Sequence, residues 1–265
     1  MPDSFGAQPA ADLATAPPPA SHQAAALQAR ALDARLRHAS PQEILKGVIE
    51  AFPGQIALVS SFGTESAVLL HMVAQIDPAT PVLFLDTGQL FGQTLDYRKS
   101  LAKTLGLTDV RDLRPEFQDL AVHDPKADLW KTSTDACCQI RKVLPLDKAL
   151  GGFDAWITGR KRYHGGSRLS LPVVEASEGK IKVNPLANWT KVELDGYMTA
   201  HDLPAHPLAA FGYPSVGCWP CTSAVEEEGD VRSGRWAGSD KTECGIHTPR
   251  PNTIVSIDGD VGGDI

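Results

Sequence analysis

Short apolar runs alternating with helical patterns constrain this chain more than any other feature. The stretches around Ile56–Val59, PVLFLDTG, TDVRDLRP and DAWITGR read as strands, and ESAVLLHMVAQI, TLDYRKSLAKTLGL and STDACCQIRKVLPLDKAL between them read as helices. Strands separated by helices are joined by right-handed crossovers, which predicts an α/β fold with a mainly parallel sheet flanked by helices. ESAVLLHMVAQI is apolar nearly all round, as expected of a helix packed within a sheet layer. Ser40 before Pro41 marks one helix start, and the Thr190-x-x-Glu193 box marks another that stops before Pro204. In an open α/β sheet, ligands bind beyond the carboxyl ends of the strands. Three chemically loaded stretches fall there: SSFGTES (60–66), LDTG (85–88) and TGRKRYHGGSR (158–168).

A chain of 265 residues accommodates one such domain with tails. Residues 1–25 are Ala/Pro-rich without periodicity and read as a disordered tail; 26–225 form the nucleotide-binding α/β domain; 226–265, where periodicity has faded, read as a mobile arm. There is no internal repeat. The net charge of −7 argues against a general nucleic-acid or anionic-membrane binder. No apolar run reaches the length of a membrane span and no secretory signal opens the chain, so a cytoplasmic protein is expected. Its oligomeric state is open, a homo-oligomer included. The basic residues nevertheless gather at Arg141 and Lys142, at Arg160, Lys161, Arg162 and Arg168, and at Arg232, Arg235 and Lys241. Together these runs can enclose a small polyanion, although any one of them alone reads as solvated surface charge.

Loop amides at a helix N-terminus suit an anion. SSFGTES lacks the Gly-Lys-Ser/Thr of a Walker A loop, and by itself it is either a phosphate cradle or an ordinary strand-to-helix turn. The five cysteines carry more information. An odd number in a reducing compartment argues against a disulfide framework. Cys137 and Cys138, on a predicted helix, and Cys218 and Cys221, in CWPC, provide four thiolates, enough for a tetrahedral zinc or a four-iron four-sulfur cluster. CWPC also has the spacing of a redox pair, but no βαβ start precedes it. Adjacent cysteines reach one compact zinc ion only with backbone strain, whereas a cluster offers separate corners, so the spacing favours iron-sulfur. Cys244 is left over, in a Gly- and Asp-rich tail with little apolar cover, where an inert buried thiol is not expected.

The ordered set SSFGTES, LDTG, CCQIRK, TGRKRYHGGSR, GCWPC and KTECGIH, from about residue 45 to 248, resembles the assimilatory adenylyl-sulfate (APS) reductases, iron-sulfur relatives of the phosphoadenylyl-sulfate (PAPS) reductases. The resemblance implies a fold like the adenine-nucleotide α-hydrolases, with Ser60, Ser61, Phe62, Gly63, Thr64, Glu65 and Ser66 in place of the SGGxDS-type loop of pyrophosphate-forming relatives. The loop departs from that ATP-using pattern at its Gly-Gly and Asp. By the same resemblance Cys137, Cys138, Cys218 and Cys221 hold a 4Fe-4S cluster and Lys142 stands between cluster and substrate. It also makes Arg160, Arg168, Arg232, Arg235 and His247 phosphosulfate ligands, and has Leu85, Thr87 and Gly159 hold the adenosine. His164 stands where some relatives carry Gln and is given no role.

The resemblance further implies that the Cys244 thiolate attacks the sulfur of APS, expels AMP and becomes an S-sulfonate, from which thioredoxin or glutaredoxin thiols release sulfite. A free thiol is only a few per cent ionised near neutrality and needs cationic neighbours; Lys241, His247 and the two arm arginines are the candidates. The alternatives are a PAPS reductase, an ATP-using transferase of the same superfamily, which leaves ECGIH unexplained, and a zinc- or cluster-stabilised binding module with an incidental Cys244.

Overall fold

The structure is a computed structural model that describes residues 20–225, 231–238 and 241–247. Six strands form one sheet: β1 (Ile56–Ser60), β2 (Val82–Leu85), β3 (Val110–Leu113), β4 (Ala155–Ile157), β5 (Val174–Ser177) and β6 (Lys180–Val183), in the order β3-β2-β1-β4-β6-β5. All pairs are parallel except the β5–β6 hairpin. The expected mainly parallel sheet is therefore present. The hairpin at its edge was not foreseen.

Central β1 is buried along its whole length, which is why its sequence is a continuous apolar run and not an alternation. Its side chains still separate by parity. Ile56 and Leu58 join the core beneath α1 (Ala20–Leu36), α2 (Pro41–Ala51) and α3 (Ser66–Ile76), while Ala57 and Val59 pack with Leu146, Leu150 and Trp156 on the opposite face. Both predicted caps are observed. Ser40 opens α2 with a full capping box to Glu43, and Thr190 does the same with Glu193 for the helix Lys191–Ala200.

The first helix begins at Ala20, so residues 20–25 belong to it and not to the tail that their composition suggests. Alanine is the strongest helix former, and Ala24–Ala26 feed directly into the apolar seam. Buried Ala25 and Ala29, and an Asp33 carboxylate that accepts the Val174 N–H at 3.0 Å, tie α1 over edge strand β5. Residues 1–19 of the expected tail, and 226–230, 239–240 and 248–265 of the expected arm, lie outside the described residues. No described helix is long and apolar enough to cross a membrane.

Strand β1 sends its chain to β2 on one side, while β4 lies on the other. That reversal opens a crevice above the carboxyl ends of β1, β2 and β4.

Candidate active site

Three loops rise into that crevice, and the described parts of the arm close over it. A cavity of about 210 Å³ results. From the loop after β1 it is lined by Ser60, Ser61, Gly63, Thr64, Glu65 and Ser66; from the β2 and β4 ends by Leu85, Thr87, Gly159, Arg160, His164 and Arg168. Lys142, Cys218, Arg232, Cys244 and His247 complete the wall, so residues spread over nearly 190 positions of sequence meet at one point.

Much of the β1 loop's polarity is spent internally. The Ser60 hydroxyl accepts the Phe62 N–H at 3.1 Å, Thr64 donates to the Pro214 carbonyl at 2.7 Å, and Ser66 donates to the Gly63 carbonyl at 2.6 Å. Phe62 does not line the cavity. Its backbone takes φ of 48°, in the left-handed region that non-glycine residues seldom occupy, and its fully buried ring stands edge-on to Phe84 with centroids 5.4 Å apart. The ring anchors the loop from below. Its side chain is not placed to touch a ligand in the cavity.

The carboxylate at the loop's end, Glu65, is encircled by donors: Lys161 at 2.7 Å, His164 Nε2 at 3.1 Å and the Tyr163 hydroxyl. Burial opposes its charge, but the His164 hydrogen bond and the Lys161 ammonium outweigh that and hold the carboxyl well below the usual range. Lys161, named only within a basic run in the sequence, is thus a buried partner of Glu65, and burial lowers its own pKa.

The helix Thr134–Cys138, capped by Ser133, widens into a π-helical turn over Gln139–Val143. Such turns recur at functional sites. Here Cys137, Cys138, Arg141 and Lys142 are all buried. Cys137 and Cys138 line a small pocket together with Cys218 and Cys221, which a 3₁₀ turn at Trp219–Cys221 presents from the other side. Cys218 lies 3.2 Å from the Thr87 hydroxyl and borders both this pocket and the larger cavity, as does Lys142. Burial, then the neighbouring Cys138, pushes the Cys137 thiol up to about 12, and burial likewise raises Cys138 and Cys221. Burial pulls Lys142 down, yet the Cys218, Cys244 and Cys138 sulfurs together hold it above the ordinary lysine value. Among the described residues no three His, Cys, Asp or Glu side chains converge on a single point.

The arm is fastened where its backbone meets CWPC: Ser223 N–H donates to Gly234 O at 2.8 Å and Trp236 N–H to Cys221 O at 3.0 Å. Arg235 does not line the main cavity. Its guanidinium lies 4.6 Å from the Trp236 ring centroid and borders the adjoining pocket. His247 stacks on Trp156, centroids 6.1 Å apart, and burial, with Lys182 next, lowers its pKa well below the usual value. That environment disfavours the charged imidazolium expected beside Cys244. Lys241 is paired with Asp135. Lys142 and Arg232 line the cavity together with Cys244.

Glu243, within KTECGIH, is a site residue that the sequence alone does not reveal. Nothing local marks it, because its partner Arg168 is 75 residues away.

A phosphoadenosine phosphosulfate reductase domain matches residues 55–224. The chain is 51% identical over 227 residues to the adenosine 5'-phosphosulfate reductase of Chelativorans sp. (strain BNC1), covering 85% of this chain and 93% of that protein. It is also 51% identical over 223 residues to the protein of the same name from Mesorhizobium japonicum, covering 84% and 88%. Among solved structures, the phosphoadenylyl-sulfate reductase of Candida auris in its phosphate complex superposes with a TM-score of 0.61 at 30% identity, covering 74% of this chain and 96% of that one. Matched at these identities over most of its length, with the sheet and crevice described above, the chain belongs to the phosphoadenosine and adenosine phosphosulfate reductase family of oxidoreductases.

Proposed function

We propose that this protein reduces adenylyl sulfate to sulfite and AMP, in the assimilation of sulfate, through a covalent S-sulfonate on Cys244. One observation carries the reading: Cys244 lines the same cavity as Arg160, Arg168, Arg232 and Lys142, while the other four cysteines line the pocket that shares Lys142 with it.

A nucleotide phosphosulfate is a compact polyanion, and arginine grips such groups by paired N–H donors without hydrolysing them. Arg160 is steered into the cavity by Asn184 and Glu175, and Arg232 approaches from the arm. Leu85, Thr87 and Gly159 line the same cavity and are the residues that would hold the adenosine. The Cys244 thiolate attacks the sulfate sulfur, the bond from that sulfur to the bridging phosphate oxygen breaks, and AMP departs with the electron pair. A donor thiolate then attacks Cys244 Sγ and expels sulfite. Its second thiol displaces Cys244, which regains its thiolate while the donor becomes a disulfide. Thioredoxin or glutaredoxin fits that role. A donor of this kind, and the buried free thiols, agree with a cytoplasmic setting.

Cys137, Cys138, Cys218 and Cys221 are the residues that would hold a 4Fe-4S cluster. All four line one pocket, and the adjacency of Cys137 and Cys138 suits a group with separate metal corners better than a single zinc ion. Bound there, the cluster supplies a structural and electrostatic centre, since the electrons come from the donor thiols. The arm from 226 to 265 serves as the carrier of Cys244.

Sulfite release from APS and PAPS, assayed in parallel with reduced thioredoxin, tests the substrate; APS is expected to be the better one, and equal or higher efficiency with PAPS overturns it. Protein mixed with APS without reductant should gain the mass of one SO₃ group on Cys244. An adduct on any other cysteine, or full activity in Cys244→Ser, refutes the mechanism.

A further inference from the structure

Glu243 immediately precedes Cys244, and its carboxylate is held side-on in a two-pronged fork by Arg168: Nε donates to Oε1 at 2.5 Å and Nη2 to Oε2 at 2.9 Å. Both side chains are largely buried, and Arg232 Nη2 stands 3.8 Å from Oε2. The remaining guanidinium nitrogen of Arg168, Nη1, lies 3.0 Å from His164 Nδ1. Guanidinium offers only donors, so His164 Nδ1 must accept. The imidazole proton therefore sits on Nε2, which donates to Glu65 Oε2 at 3.1 Å.

These contacts make one chain from the β1 loop to the arm: Glu65, His164, Arg168, Glu243. Its far end sits beside the reactive sulfur. On the other side of Cys244, Gly245 takes φ of 85°, a conformation with little steric resistance in glycine. Beyond that glycine, Ile246 packs on the Leu146, Leu150 and Trp156 cluster and His247 stacks on Trp156, so Cys244 hangs between two anchors, and the Glu243 carboxylate is the one directly adjacent to it.

We propose that Glu243 is a positioning residue, whose fork on Arg168 seats Cys244 over the cavity, and that His164 is a second one, aiming Arg168 by accepting from Nη1. The proposal rests on Cys244 being the nucleophile. The competing view takes Glu243 as a stand-in anion that occupies the arginine seat until substrate displaces it. The two views differ in what removal of the charge does to ligand binding.

The experiment compares wild type, Glu243→Gln, Glu243→Asp, His164→Leu and His164→Gln, all as holoprotein, in two measurements. One is the rate at which the SO₃ adduct appears on Cys244 after mixing with APS in the absence of reductant; the other is the Kd for AMP, which also shows that each variant is folded. Positioning predicts an adduct roughly 30- to 100-fold slower in Glu243→Gln, the scale of a misplaced reacting group, with AMP affinity within about threefold of wild type. Glu243→Asp, which keeps the charge, should recover part of the rate. His164→Leu should slow the adduct in the same way, and His164→Gln should restore it, because an amide presents both an acceptor to Arg168 and a donor to Glu65. AMP binding about tenfold tighter in Glu243→Gln with an undiminished adduct rate overturns the proposal in favour of the stand-in anion. An adduct missing from wild-type Cys244 defeats the nucleophile and this proposal together, whereas a normal wild-type adduct and an equally fast Glu243→Gln defeat the positioning role alone.

Discussion

Arg141 places two nitrogens on a single oxygen of Asp124, Nε at 3.0 Å and Nη2 at 2.6 Å from Oδ2, and both side chains are at most 5% exposed. Its third nitrogen donates to the Thr87 carbonyl at 2.8 Å, and Asp124 Oδ1 accepts the Leu129 N–H at 2.9 Å. The sequence groups Arg141 with cations that can surround a polyanion, but each of its three guanidinium nitrogens donates to protein. It braces the β2 loop, and hence Thr87, against the helix that carries Cys137 and Cys138. Asp124→Ala leaves that charge buried without its partner and should cost about 3–5 kcal/mol in urea unfolding. A smaller effect than Arg98→Ala, which breaks the more exposed Arg98–Asp112 pair, would show that the brace is idle.

The cluster reading makes a paired prediction. Cys138→Ser and Cys221→Ser should each lose iron, acid-labile sulfide and sulfite release together, because a hydroxyl is a poor substitute for thiolate at such a site. Cys244→Ser should keep full iron content while releasing no sulfite. Iron analysis of anaerobically purified protein reads both, and iron lost from Cys244→Ser would make that residue a ligand.

Gly217, just before CWPC, lies against the arm: a Cβ there would overlap the Arg235 guanidinium. The obstructing atoms end a flexible side chain, so Gly217→Ala should be accommodated by displacing Arg235 from Trp236. Sulfite release should fall by roughly tenfold while thermal stability changes by less than about 1 kcal/mol, the usual size of a surface adjustment. Unchanged turnover would separate Arg235 from the reaction.

His206 gives the fold an acid limit. Its Nδ1 accepts the Leu208 N–H at 3.2 Å, which places the proton on Nε2, 3.1 Å from the Thr94 hydroxyl, and burial pulls its pKa down to about 4. With the folded value below the ordinary 6.5, this group's contribution is whole above pH 6.5 and is lost as pH falls through about 4. The loss amounts to roughly 3 kcal/mol. Stability measured across that window should decline more steeply in wild type than in His206→Gln; parallel curves would assign the acid limit to other groups.

The parallel sheet was legible because buried central strands must be apolar without interruption, and QIALVS and PVLFL satisfy that requirement with no help from elsewhere. Helix starts at Ser40 and Thr190 were legible for the same kind of reason, since a capping box spans only four residues. The short hairpin Val174–Ser177 and Lys180–Val183 was not. Its alternate positions are polar, the buried Lys182 among them, its strands are four residues long, and its pairing depends on β4 and α1 lying beside it. The cysteine pairs and KTECGIH identified the family, because their order along the chain is itself specific. What the sequence determined, then, is the set of local preferences and the inventory of reactive groups. Tertiary structure alone decided which cation faces which anion: Arg141 turned to Asp124, Lys161 to Glu65 and Arg168 to Glu243, while burial disfavours the charged form of His247. A charge's partner and its ionisation depend on distance and desolvation, and neither quantity exists until the chain has brought residues 75 or 96 positions apart into contact.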